Sequence, residues 1–169
     1  MQFNTYVYML LFLPVTILGY FVINKFSYFF AKIYLAAVSI FFYAYAGLPG
    51  FQWLVISIVF NYLIVMLMKR MHSKLILWMG IVFNIVLLFY FKYTNFAIIT
   101  VNDLLHKNIP LIKMVLPIGI SFFTFQQIAY IVDSYRGKLE EQSFLDYINY
   151  VAFFPKILMG PLVSPSALI

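Results

Sequence analysis

Long apolar stretches of about 14–20 residues, joined by short polar clusters, constrain this chain more than any other feature. They run Val7–Ile23, Ile33–Ala46, Phe51–Met68, Leu75–Phe91 and Met114–Val132, with a last, interrupted one over Phe144–Val163. A helix rises ~1.5 Å per residue, so the first run alone reaches about 26 Å, close to the thickness of a bilayer's hydrocarbon core. No basic residue precedes that run and no small-x-small pattern follows it, so it reads as a helix that stays rather than a leader that is removed. Charged residues are 9% of the chain and hydrophobic ones 65%, too little polar cover for a soluble globule and too little charge for a disordered chain. With no cysteine, disulfides, thiolate metal sites and cysteine nucleophiles are excluded. The expectation is an all-α polytopic membrane protein: a single membrane domain over 1–169, about five transmembrane helices and a broken or re-entrant segment.

The net charge of +6 is arranged topologically. Lys25, Lys32, Lys69, Arg70, Lys74, Arg136 and Lys138 fall at joints that share one side of the membrane, and Lys92, Lys107 and Lys113 at joints on the other. Cytoplasmic loops collect Lys and Arg, so the first group is placed in the cytoplasm and the N-terminus outside, in the cell membrane. Nucleic-acid binding is not expected, because it needs clustered charge on a wet face. Residues 93–113 mix Asn95, Asn102, Asp103, His106, Lys107, Asn108, Pro110 and Lys113 with apolar neighbours, and read as a loop with an interfacial helix. Gly47-Leu48-Pro49-Gly50 is a turn signal.

Polar side chains inside spans must face protein or water. Asn61 and Asn84 read as hydrogen-bond glue between helices, with a direct role in chemistry as the weaker alternative. In the fifth run, a ~100° projection sets Phe122, Phe125, Ile128, Ala129 and Val132 on one side and Thr124, Gln126, Gln127, Tyr130 and Asp133 round the other. The polar side should turn to the bundle interior or a wet cavity. Pro117 and Gly119 near the start of the run allow either a kinked helix packed through polar contacts or the wall of a substrate tunnel. Asp133 reads as a cap at the helix end near Arg136. The stretch Phe153-Phe154-Pro155-Lys156-Ile157-Leu158-Met159-Gly160-Pro161 reads as a broken segment bordering a cavity, where Lys156 snorkels to the interface or meets an anion. No phosphate loop, nucleophile elbow or metal-spaced histidine pair is present. His72 reads as a solvated loop residue and His106 as a membrane-surface one; neither shows the positioned partner a general base needs.

Two stretches, LPIGISFFTFQQIAYIVDSYRG at 116–137 and FLDYINYVAFFPKILMGPL at 144–162, resemble the membrane-bound O-acyltransferase (MBOAT) family in its alginate O-acetyltransferase-like branch. FFYAYAGLPGFQWLVISIVFNYLIVMLMKR and GIVFNIVLLFYFKYTNF resemble the N-terminal helices of that branch. The resemblance covers nearly the whole chain. It implies a helical bowl around a tunnel, in which an acyl group, acetyl by this branch, passes from a cytoplasmic thioester donor to hydroxyls of a cell-surface polysaccharide. The donor would be acetyl-CoA or an acylated carrier protein, and an extracytoplasmic acetyltransferase could be a partner; no bound cofactor or metal is implied. The family's membrane-embedded histidine, usually in a Trp-His-Gly context, has no counterpart here: Trp53 and Trp78 are followed by Leu54 and Met79. The chain is therefore expected to be the N-terminal part of a longer enzyme and inactive alone, with no catalytic residue. Its expected tunnel-lining residues are Ser121, Thr124, Gln126, Gln127, Tyr130 and Lys156. The competing readings are a transporter or permease subunit and a non-catalytic membrane scaffold, since broken helices and midplane polar groups also serve solute binding.

Overall fold

A computed structural model describes residues 8–46, 48–139 and 143–153; the broken segment with Pro155, Lys156, Gly160 and Pro161 lies outside them. The described residues are helical with no strand. A π-helical turn, Tyr8–Phe12, leads into α1 (Leu13–Phe26), followed by α2 (Tyr28–Ala46), α3 (Leu48–Met71), α4 (Lys74–Leu105), α5 (Ile120–Tyr135) and α6 (Phe144–Ala152). Three helical stretches are long and apolar enough to cross a bilayer: Tyr28–Tyr45, Gly50–Met71 and Lys74–Leu105. Their outer faces carry large side chains such as Phe29 and Phe30, each 61% exposed. A contiguous apolar surface of that kind is stable against lipid and not against water. The chain is an all-α membrane protein.

The helices pack in an order set by their joints. Ser27 alone separates α1 from α2; its extended backbone (φ −163°) ends one helix and lets the next fold back on it. Pro49 does not break α3, because it stands in the first turn, where its missing N–H has no helical partner to lose. Helices α3 and α4 form an antiparallel hairpin whose paired residues step apart in opposite directions. Trp53 meets Phe91 at 5.2 Å between ring centroids, and Phe60 meets Phe83 at 3.8 Å. Ser73 caps α4, its hydroxyl accepting from the Leu75 N–H at 3.2 Å. Helix α5 then packs on both α3 and α4, while α6 lies against α2, α3 and α5.

Two sequence expectations are corrected. Residues 93–105 are not a loop with an interfacial helix, because α4 continues unbroken to Leu105. At ~1.5 Å per residue its 32 residues reach about 48 Å, well past a ~30 Å hydrocarbon core, so its last turns carry polar residues without ceasing to be helix. Those polar residues hold the returning chain. Asn95 donates through Nδ2 to the Ile112 carbonyl at 2.9 Å and accepts from the Ile112 N–H at 3.0 Å. Asn102, two turns further on, does the same with Ile109, both bonds at 2.9 Å. Each side-chain amide pairs with the N–H and C=O of one residue, as a neighbouring strand would, and fastens the non-helical segment to α4.

The fifth apolar run is likewise not one kinked helix. Pro117 pushes the residue before it out of helical geometry, and Gly119 adopts φ 69°, which an L side chain resists. Helix α5 therefore starts at Ile120, with the Phe123 N–H bonded to the Gly119 carbonyl at 3.0 Å. It ends in a Schellman pattern: the Gly137 N–H bonds the Ser134 carbonyl at 3.2 Å and the Lys138 N–H the Asp133 carbonyl at 3.0 Å. This backbone motif, rather than the Asp133 carboxylate, closes the helix. The two histidines also end helices. His72 and His106 take left-handed φ of 47° and 48° just past α3 and α4, a position glycine or asparagine usually fills.

Candidate functional site

The polar side of α5 faces the interior of the bundle. Thr124, Gln126, Gln127 and Tyr130 are all buried, Ser121 is half-buried, and Phe122 and Phe125 point outward. Lys156 lies outside the described residues.

Gln127 belongs to a four-residue network that joins three helices. Its Nε2 donates to Ser57 Oγ at 3.1 Å, and its Oε1 accepts from Asn61 Nδ2. Asn61 also shares an amide pair with Asn84: Asn84 Nδ2 donates to Asn61 Oδ1 at 2.6 Å, and Asn61 Nδ2 to Asn84 Oδ1 at 3.2 Å. Each asparagine reaches back one turn as well, Asn61 to the Ser57 carbonyl and Asn84 to the Gly80 carbonyl, both at 2.8 Å. All four side chains are fully buried. With every amide occupied by another, the network is glue, and the chemical alternative for Asn61 and Asn84 falls away. Gly80 makes the close approach possible. A Cβ there would meet Ile64 Cγ2 at 2.9 Å and Ile131 Cδ1 at 3.0 Å. The sequence reading missed Ser57 and Gly80, although Ser57–Asn61 and Gly80–Asn84 both show the four-residue spacing that puts side chains on one helical face.

A second group of buried polar atoms has no partner among the described residues: Ser39 Oγ, Tyr43 Oη, Thr124 Oγ1, Gln126 Oε1, Ser134 Oγ, Tyr147 Oη and Asn149 Oδ1. Three lie on α5 and two on α6. Tyr147 also belongs to a tyrosine cluster, with Tyr130 4.6 Å from Tyr147 and 5.8 Å from Tyr150, and Tyr62 5.7 Å from Tyr147. Thr124 Oγ1 and Gln126 Oε1 thus differ from the Gln127 amide in having no partner among the described residues.

At the edge of the bundle, Lys32 Nζ pairs with Asp146 Oδ1 at 2.5 Å and stands 4.5 Å over the Tyr28 ring. Ser143 caps α6, donating to Asp146 Oδ2 at 2.7 Å and accepting from the Asp146 N–H at 3.2 Å. Burial works to raise the Asp146 pKa, but the bonds from Lys32 and Ser143 outweigh it and hold the carboxyl below its ordinary value. Among the described residues no cluster of His, Asp and Glu has the makings of a metal site.

The comparisons with known proteins agree with the motifs. Over 97% of its length the chain is 34% identical to a protein named peptidoglycan O-acetyltransferase from Helicobacter pylori. Over 96% it is 32% and 31% identical to proteins named probable alginate O-acetylase AlgI from Pseudomonas aeruginosa and Azotobacter vinelandii. These relatives are members of the membrane-bound O-acyltransferase (MBOAT) family, and the chain is similar to them along nearly its whole length. It spans about a third of the length of these curated relatives, matching 37%, 33% and 34% of them. No family model and no solved structure matches it. In this chain the Ser57–Asn61–Asn84–Gln127 network fixes how α3, α4 and α5 sit together, and that in turn sets where Thr124, Gln126 and Tyr130 stand.

Proposed function

We propose that residues 1–169 are the N-terminal part of a polysaccharide O-acetyltransferase of the cell membrane, with the N-terminus outside. The carrying observation is the likeness along nearly the whole chain to relatives named for O-acetylation of peptidoglycan and alginate. In the reaction, an acceptor hydroxyl oxygen attacks the acetyl carbonyl of a cytoplasmic thioester, acetyl-CoA or an acylated carrier protein. The ester C–O bond forms, the C–S bond breaks, and the hydroxyl proton passes to a base, which returns it to the leaving thiolate. The base is the histidine the family resemblance implies, supplied from outside residues 1–169. An extracytoplasmic acetyltransferase is a further partner in this reading.

This chain contributes one wall of the path. Helix α5 presents Thr124, Gln126 and Tyr130, with Ser121 at its start. The unpaired Thr124 Oγ1 and Gln126 Oε1 support that assignment, because a polar substrate would satisfy them and lipid would not. Gln127 supports the wall from behind. The test is acetyl transfer by the intact protein in proteoliposomes, with labelled acetyl-CoA outside and polysaccharide fragments within, and the converse arrangement. Gln126→Leu and Thr124→Val are expected to lower transfer at unchanged expression. Full transfer by both variants would overturn the wall assignment, and turnover by residues 1–169 alone would overturn the assignment of the base.

A further inference from the structure

The Lys32–Asp146 pair opens onto a cavity of about 250 Å³ whose other polar lining includes Tyr20, Tyr28 and Asn149. A second cavity of about 380 Å³ continues from it along α1, sharing Tyr20 and Leu35. This one is apolar, lined by Leu13, Ile17 and Phe21; the hydroxyl of Thr16, its one further polar residue on α1, is already spent on the Phe12 carbonyl at 2.7 Å. From Tyr20 to Leu13 it runs ~10 Å along the helix axis, away from the α1–α2 joint and toward the bilayer interior. A charged, hydrogen-bonding mouth thus leads directly into an oily slot open at the outer surface of the bundle.

The mouth is electrically balanced and offers both kinds of partner. An ammonium has three N–H donors; Lys32 directs one at Asp146 and stands over Tyr28, which leaves donor capacity toward the cavity. On the acceptor side, each Asp146 oxygen takes one bond, and Asn149 Oδ1 has none among the described residues, its amide nitrogen donating to the Lys32 carbonyl at 3.0 Å. A simple anion would face the carboxylate and a simple cation the ammonium, each at a cost. A head group carrying both charges meets neither penalty.

We propose that this cleft binds a zwitterionic aminophospholipid from the surrounding bilayer. The phosphate lies toward Lys32 and the tyrosine hydroxyls, the ammonium toward Asp146 and Asn149, and one acyl chain fills the slot between α1 and α2. The site holds α6 to α2 through the lipid as well as through the ion pair. It rests on the membrane location of the chain and not on the acetyl-transfer reading.

The experiment is lipid retention by the intact protein. Purified protein is exchanged into nanodiscs containing equal phosphatidylethanolamine and phosphatidylglycerol, extracted with mild detergent, and the retained lipid counted by native mass spectrometry. Phosphatidylethanolamine is expected to be retained about tenfold over phosphatidylglycerol. Ile17→Trp fills the slot from a position 45% exposed and leaves the ion pair untouched, so the protein folds while retention falls about tenfold. Lys32→Gln with Asp146→Asn keeps the shape, removes both charges, and abolishes the head-group preference. Equal retention of the two lipids, a preference for phosphatidylglycerol, or undiminished retention by a folded Ile17→Trp protein would each overturn the proposal. So would retention of no lipid at all, with the cleft covered by the protein's own chain.

Discussion

Replacing Asn61 by leucine tests whether the buried amide network, rather than apolar packing, fixes how the bundle assembles. Leucine matches asparagine closely in volume, so the change removes hydrogen bonds with little cavity. Asn61 Nδ2 is the donor to both Gln127 Oε1 and Asn84 Oδ1, and neither acceptor has another partner. Asn84 Nδ2 keeps its bond to the Gly80 carbonyl, and Ser57 Oγ keeps the Leu54 carbonyl at 2.9 Å. Two fully buried acceptors are therefore stranded, at ~1–3 kcal/mol each. Interhelical bonds in membranes fall toward the low end of such ranges, so the expected loss is about 2–4 kcal/mol. The assay is equilibrium unfolding of the intact protein in mixed micelles, followed by tryptophan fluorescence. Adding Asn84→Leu and Gln127→Leu removes the stranded partners, and most of the lost stability should return. A double-mutant cycle between Asn61→Leu and Gln127→Leu should give a coupling of about 1 kcal/mol or more. A loss under ~0.5 kcal/mol for Asn61→Leu, or strict additivity with Gln127→Leu, would refute the reasoning.

Asn102→Ala should free the Ile109 amide and speed its hydrogen exchange about 10- to 100-fold while Ile112, held by Asn95, changes less; equal acceleration at both would show that the clasps are not separate. His106→Gly should stabilise the protein by about 0.5–1 kcal/mol in thermal melts, because its φ of 48° strains any L side chain. Gly80→Val should destabilise by about 1–3 kcal/mol or more, since a Cβ already meets Ile64 and Ile131 at the edge of tolerance. Asp146 has a folded-state pKa below its unfolded value, so its contribution is present above the unfolded pKa, near 4, and disappears as pH falls through the folded one. The melting difference between the native protein and Asp146→Asn should accordingly be full near neutral pH and shrink below about pH 4; a gap that widens in acid would contradict the sign.

Much of this architecture is legible in the residues, and the places where it is not share one cause. Apolar runs located α2 and α3 to within a few residues, and the polar side of α5 could be projected inward before any coordinates, because lipid forbids the alternative. Helix α4 was cut short in that reading because polarity was taken to mean loop. Asn95 and Asn102 are instead spaced two turns apart on a helix that outruns the bilayer, with a peptide unit waiting opposite each. Sequence shows the spacing but not the partner, which is 17 residues away for Asn95 and 7 for Asn102. The ion pair of Lys32 with Asp146 was equally hidden: 114 positions apart, one residue read as a topology marker and the other as an interruption.

The shared cause is that apolar residues carry little information about partners inside a membrane. Lipid tails are as apolar as leucine, so burying Ile58 or Val65 against a neighbour gains packing but no release from water. What distinguishes one arrangement of helices from another is the short list of groups that lipid cannot satisfy. Ser57, Asn61, Asn84 and Gln127 meet at one point on three helices, and sliding any helix by a turn would strand two or more of them. The same argument separates the two glutamines of α5. Gln127 is consumed by the register of the bundle, whereas Gln126 Oε1, one residue away, has no partner among the described residues. The register of the bundle therefore rests on amides such as Gln127, whose every bond is to another helix or its own network, rather than on apolar packing.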